Sequence, residues 1–165
     1  MSSRHPAERP DGVGAKSPVR RCTMTIISAA AAALIAASAG PAQELEIRVE
    51  RLRNARGDLH LCLTRDPAHF PDCGRDPRAV KRTISAADAE RPIRLAGVEP
   101  GSWALSIIHD ENRNEKLDTM LGIPREGFGF SRNPVIRFGA PRFDQVRFDV
   151  APGITRHTVR MQYLL

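Results

Sequence analysis

The sequence predicts an all-β chain folded as a two-sheet β-sandwich, and three observations carry that expectation. Apolar residues recur at every second position in five separate runs, the signature of strands with one face in a core and one in water. Turn-forming groups punctuate those runs. No segment shows apolar residues at helical spacing over the length a core helix needs.

In chain order, residues 1–42 read as an export signal. A basic stretch ending in Arg20 and Arg21 leads into the apolar residues 26–37 and then into small residues. Ala37-Ser38-Ala39 and Gly40-Pro41-Ala42 both fit signal cleavage, and the second, which is preferred, leaves Gln43 first. An amphipathic helix does not fit, since residues 29–36 have no polar face. Arg20-Arg21 is a twin-arginine pair, but Cys22-Thr23-Met24 supplies little apolar follow-up, so general secretion is expected. Cys22 precedes the apolar stretch and so does not suit a lipidated first residue. The expected product is a periplasmic or extracellular protein without stable membrane insertion, as the apolar run falls short of the roughly 20 residues that span a bilayer.

Residues 43–165 are enough for one core and too few for two typical domains. Leu45, Ile47 and Val49 alternate with charged residues, as do Leu59, Leu61 and Leu63 with His60, Cys62 and Thr64. Asn54-Ala55-Arg56-Gly57 between them predicts a β-hairpin. Residues 79–84 and 93–95 are shorter strands, and residues 86–90 form one helical turn that Pro92 ends. Val98-Glu99-Pro100-Gly101 turns the chain into a strand carrying Trp103, Leu105 and Ile107. Val146, Phe148 and Val150, the turn Ala151-Pro152-Gly153, and Val159, Met161 and Tyr163 predict a second hairpin. About seven strands of this kind suit an immunoglobulin-like or transthyretin-like sandwich with one long loop.

Composition bounds the function. The 165 residues are 41% apolar and 27% charged, with three Cys, which excludes a disulfide-dense miniprotein. Five of the 25 basic and two of the 19 acidic residues lie in the signal, leaving a net +3. Those charges are interspersed, so no nucleic-acid partner is expected.

Residues 110–141 do not fit a plain sandwich. Loops beyond about 12–15 residues are uncommon unless functional or held by something. This one opens Asp110-Glu111-Asn112-Arg113-Asn114-Glu115-Lys116-Leu117-Asp118. Side-chain oxygens of Asp110, Asn112, Asn114 and Asp118, with the Lys116 carbonyl, can converge on one hard cation, Ca²⁺ being the expected one. The spacing follows positions one, three, five, seven and nine of an EF-hand loop, where short side chains suit contacts of about 2.3–2.6 Å. Two positions depart from it: Glu115 stands where Gly permits the sharp turn, and Leu121 where a bidentate Glu is usual, with Glu126 the nearest substitute. The alternative is an Asx-rich turn whose side chains bond their own backbone. With two carboxylates the expected calcium range is about 10⁻⁴–10⁻³ M.

These residues also carry a resemblance. His109-Asp110-Glu111-Asn112, Asn114, Lys116-Leu117-Asp118-Thr119, Gly122-Ile123-Pro124, Glu126 and Gly127-Phe128-Gly129-Phe130-Ser131 resemble the signature of the bacterial exported family catalogued as domain of unknown function 2141 (DUF2141). Residues 98–104, 139–143 and 146–148 resemble its flanking segments. The resemblance implies a secreted or periplasmic β-sandwich and no established activity. Glu115 departs from the family's usual Gly.

Phe128 and Phe130, between glycines, suit either an aromatic platform for a sugar or peptide or a cap on the sandwich core, and the cap is favoured. Cys62 and Cys73 are expected to form a disulfide in an oxidising compartment, over a metal pair or catalytic thiol with His60 or His69 nearby. Catalytic motifs are missing; His109 beside Asp110 is the one suggestive pair, and strand neighbours point to opposite faces. The expected function is therefore a binding or structural module of the cell envelope, with a glycan or protein as partner. A small envelope hydrolase using His109 and nearby carboxylates, or a carbohydrate-binding module using Phe128 and Phe130, are the alternatives.

Overall fold

The computed structural model describes residues 43–165; the segment expected to be an export signal, with its expected cleavage sites, lies outside them. Two sheets face each other across one core. The first has the order β10-β1-β4, built from β1 (Glu44–Glu50), β4 (Ile93–Ala96) and β10 (Ile154–Arg160). The second has the order β3-β2-β5-β8, from β2 (Asp58–Thr64), β3 (Val80–Ser85), β5 (Gly101–Asp110) and β8 (Gly127–Phe130), and β9 (Phe148–Val150) also pairs with β5. A separate two-stranded hairpin, β6 (Thr119–Met120) and β7 (Ile123–Pro124), stands in the long loop.

The alternating residues do what their spacing predicts. Leu45, Ile47 and Val49 from one sheet meet Leu59, Leu61, Leu63, Trp103, Leu105 and Ile107 from the other, all buried in one cluster. At roughly 1.5–3 kcal/mol for each large apolar side chain removed from water, this layer is the main stabilising term. The short turn at Ala86–Glu90 and the turn into β5 fall where expected, the first contributing Ala86 and Ala89 to the core.

Pairing differs from expectation in two places. Neither the 45–63 segment nor the C-terminal segment is a hairpin. β1 pairs in parallel with β10 and antiparallel with β4, while β2 pairs with β3 and β5. Residues 51–57 therefore cross from one sheet to the other. Residues 151–153 cross back, since β9 pairs with β5 and β10 with β1. Alternation fixes which face of a strand is apolar and leaves its neighbour open, so two apolar faces joined by a turn can pack face to face as well as side by side. Val146 belongs to a one-turn helix, α1 (Phe143–Val146), instead of a strand.

The stretch 110–141 is also less irregular than its composition suggests. Gly127-Phe128-Gly129-Phe130 is a strand, with Phe128 opposite Ile108 and Phe130 opposite Ser106. Its other edge bonds Gln162 through both main-chain groups of Phe128, at 3.0 and 2.8 Å, so the tail after β10 closes the sandwich along this side. The glycines explain how. A Cβ at Gly127 would lie 2.3 Å from the Tyr163 ring, and one at Gly129 would lie 2.7 Å from Val159. Only a bare backbone lets the tail approach this closely.

Candidate functional site

The outer face of the second sheet divides into a covered and an open end. Over the covered end lie residues 66–78 and 131–146. Phe128 and Phe130 are 5% and 6% exposed, packed with Ala104 and Val146 and flanked by Phe70, Ile136 and Phe143. Phe70 meets Phe130 and Phe143 edge-on at 5.8 and 6.1 Å. These rings form a second small core and present no face to a ligand. The Cys62–Cys73 disulfide, with Cα atoms 5.9 Å apart, pins the covering segment to β2. Two hydrogen bonds help: Thr64 donates to Asp76 at 2.6 Å in a buried position and Ser106 to the Pro71 carbonyl at 2.8 Å in a half-buried one.

The open end is where β5 finishes and the long loop begins. Asp110, the last residue of β5, is fully buried. Its Oδ2 accepts the Glu115 N–H at 2.7 Å and faces the His60 Nε2 at 3.2 Å, and its Oδ1 accepts the Asn114 N–H at 3.2 Å. Burial by itself pushes the Asp110 carboxyl up, but the Glu115 amide, the His60 ring and the amides of Asn114 and Arg113 outweigh it and hold the group below the ordinary carboxylate value. The result is an ionised carboxylate fixed at the mouth of a coiled loop.

The coil follows from the Asx residues. Asn112 Oδ1 accepts the Asn114 N–H at 3.0 Å and Asn114 Oδ1 the Lys116 N–H at 2.9 Å, two consecutive Asx turns. Their amide groups donate to the Asp118 carboxylate at 2.7 and 3.0 Å. Arg113 and Glu115 take left-handed conformations, φ 61° and 60°. Glu115 thus adopts the backbone that a glycine would supply at the sixth position. The structure brings Asp110, Asn112, Asn114 and Asp118 into one coil, with the main chain of Lys116 in its wall.

Glu126 closes the coil from the far side. It is 4% exposed, and its two oxygens accept the N–H groups of Glu111 and Asp118 at 3.2 and 3.0 Å. Among the described residues, no three His, Cys, Asp or Glu side chains converge as a metal cluster. The coil's side-chain oxygens are those of the Asp110 and Asp118 carboxylates and the Asn112 and Asn114 carboxamides, a donor set hard cations take.

His109 points to the opposite face, as strand geometry requires. It is fully buried, with Nδ1 2.8 Å from the Tyr163 hydroxyl and Nε2 2.7 Å from the Arg56 carbonyl. Both ring nitrogens are engaged, so His109 joins elements together and lies on no ligand surface.

Sequence reasoning missed two residues. His60 spans Thr83 Oγ1 at 3.0 Å and Asp110, and with Asp58, Arg113 and Glu115 lines an open hollow against the loop. Arg53 binds Glu111 at 2.6 Å and the carbonyls of Leu165 and Arg125 at 2.6 and 2.9 Å, and lies over the Tyr163 ring at 4.6 Å. Burial pushes the Glu111 carboxyl up, and Asn54 and Arg53 bring it below its ordinary value. Neither role carries a sequence signal, because each depends on strand register and on the crossing of residues 51–57.

Fold and site together define a two-sheet β-sandwich with an Asx-coiled loop at one end of β5, cross-linked by a disulfide. The family model described as "Uncharacterized protein conserved in bacteria (DUF2141)" matches residues 47–158, and the chain belongs to that family. No curated protein and no solved structure matches the chain. Among the described residues, no helix is long and apolar enough to cross a membrane.

Proposed function

We propose that residues 110–126 form a calcium site and that the chain is an exported module of the cell envelope whose loop surface is ordered by the ion. The observation that carries the reading is the buried Asp110 carboxylate, ionised at the mouth of a coil whose inner positions are Asn112, Asn114 and Asp118. Binding would exchange the two amide bonds to Asp118 for contacts of the Asp118 carboxylate with the cation, while the Asx turns that shape the coil persist. Asp110, Asn112, Asn114, the Lys116 carbonyl and Asp118 would be the ligands. The disulfide suits an oxidising compartment, in keeping with export. The alternatives have less support. His109, the residue on which a hydrolase reading rested, has no free nitrogen, and Phe128 and Phe130 offer no open ring for a sugar to stack on.

The test is the melting temperature of the purified, disulfide-intact protein in EDTA and in millimolar calcium. The expected result is a rise of several degrees with calcium that Asp118→Asn removes, since that substitution keeps the side chain's size and discards a ligand charge. An unchanged melting temperature would mean that the Asx side chains serve their own backbone alone.

A further inference from the structure

The β6–β7 hairpin is costly in a way that folding does not explain. Thr119 pairs with Pro124 and Met120 with Ile123, so the turn has two residues, Leu121 and Gly122, with φ of 53° and 79°. Positive φ at both positions defines the turn type that favours Asn-Gly. Leu121 instead places a branched apolar side chain in a left-handed conformation that a residue with a Cβ disfavours, and exposes 97% of it to water. Leu117, Met120 and Ile123 around it are 36%, 50% and 43% exposed. A strained backbone holding an exposed apolar tip argues for a use outside the fold.

The charges around the tip say what it meets. Lys116 and Arg125 are exposed on either side of the hairpin. The acidic groups beside it turn inward: Asp118 is held by the amides of Asn112 and Asn114, Glu126 by main-chain N–H groups, and Glu111 by Arg53 and Asn54. The one exposed acid of the segment, Glu115, lines the hollow beside Arg113 and His60. A narrow apolar point with a cationic collar matches a membrane interface, where apolar side chains enter the acyl boundary and Lys or Arg stay at the headgroups. It matches a protein partner poorly, because four side chains on a two-stranded finger fall far below the roughly 20–30 residues a side of a stable interface.

We propose that this hairpin docks the protein reversibly on an anionic lipid surface, with Leu121 inserted and Lys116 and Arg125 at the headgroups. Insertion is confined to the tip and spans nothing. Asp118 belongs both to the hairpin and to the coil, and its carbonyl accepts the Arg125 N–H at 2.8 Å, so an ordered coil holds the finger upright. Docking itself draws on the tip and its collar and does not require the calcium reading.

The test is flotation of the purified protein with phosphatidylcholine vesicles, with and without phosphatidylglycerol, in calcium and in EDTA. Binding is expected with phosphatidylglycerol, and Leu121→Asn should lower it by at least about tenfold, as expected for losing one buried leucine side chain. The same substitution should raise the melting temperature, because Asn-Gly suits the turn, so weaker binding with higher stability separates docking from folding. Lys116→Gln with Arg125→Gln should reduce binding to the level seen with phosphatidylcholine alone. Failure of the wild type to float with either vesicle, or equal binding by Leu121→Asn, overturns the proposal. A dimer that depends on Leu121 without vesicle binding assigns the finger to a second copy and overturns it as well. Vesicle binding without any calcium shift in melting temperature would sink the calcium site and leave docking intact.

Discussion

The Tyr163 hydroxyl lies 2.8 Å from Nδ1 of His109 and accepts the main-chain N–H of Arg53 at 3.2 Å. A carbonyl can only accept, so the His109 nitrogen facing the Arg56 carbonyl carries a proton, and Nδ1 is left to accept the tyrosine O–H. One relay thus joins the crossing at residues 51–57, the end of β5 and the C-terminal tail. Burial raises the Tyr163 pKa above its ordinary value, which keeps the hydroxyl a donor.

Tyr163→Phe should therefore cost about 1–2 kcal/mol, the price of leaving Nδ1 and the Arg53 N–H without a partner. His109→Ala should cost more, about 2–4 kcal/mol, since it adds a cavity to the unpaired Arg56 carbonyl. Urea titration measures both. A His109→Ala protein as stable as the wild type would return that residue to the list of candidate catalytic groups.

Glu115 stands at a left-handed position with its side chain exposed. Glu115→Gly should raise stability by about 0.5–1 kcal/mol, the relief of left-handed strain less the added freedom of the unfolded chain. Calcium titration of the variant by calorimetry should show unchanged or tighter binding, since the coil is kept and no proposed ligand is lost. Lower stability would mean that the Glu115 side chain makes a contribution in solution that outweighs its backbone strain.

How much of this was legible beforehand depends on distance along the chain. Local signals read well: the alternation of Leu59, Leu61 and Leu63 gave the buried face of β2, and the Asx spacing from Asp110 gave the coil. Pairing read poorly. Nothing in Leu45, Ile47 and Val49 says that their strand lies beside residues 154–160 and not beside residues 58–64, because every apolar face in a sandwich suits the same core. The 127–130 strand was hidden for a related reason. Two glycines lower strand propensity, and their fitness appears only once Tyr163 and Val159 are known to press on them. The contact of His60 with Asp110 carries no sequence signal because it spans 50 residues.

The disulfide supports a layer, which makes its removal informative. Cys62 and Cys73 are 11 residues apart, and loop-closure entropy assigns the bond about 2–3 kcal/mol. Cys62→Ser with Cys73→Ala should lower stability by that amount. The loss should also be local, exposing residues 66–78 to proteolysis and loosening Phe70 against Phe130 and Phe143. Limited digestion followed by mass spectrometry checks it. Cleavage spread evenly over both sheets would show that the bond supports the whole domain and not the covering segment.

His157 supplies a pH dependence away from the loop. Its ring stacks on Phe148 at 4.2 Å, and its Nε2 accepts the Arg132 N–H at 3.2 Å. Burial lowers its pKa from the ordinary 6.5, so the folded state favours the neutral ring that this hydrogen bond requires. Below 6.5 the unfolded chain takes up the proton more readily than the folded one. Its contribution is therefore full above that value and is lost as pH falls through the window between 6.5 and the lower folded value. His157→Gln keeps an acceptor without the titration. The wild type should lose more stability than His157→Gln between about pH 7 and pH 5 in paired urea titrations. Parallel curves for the two proteins would mean that His157 titrates alike in the folded and unfolded states, and that the acid limb belongs to the other histidines or to the carboxylates.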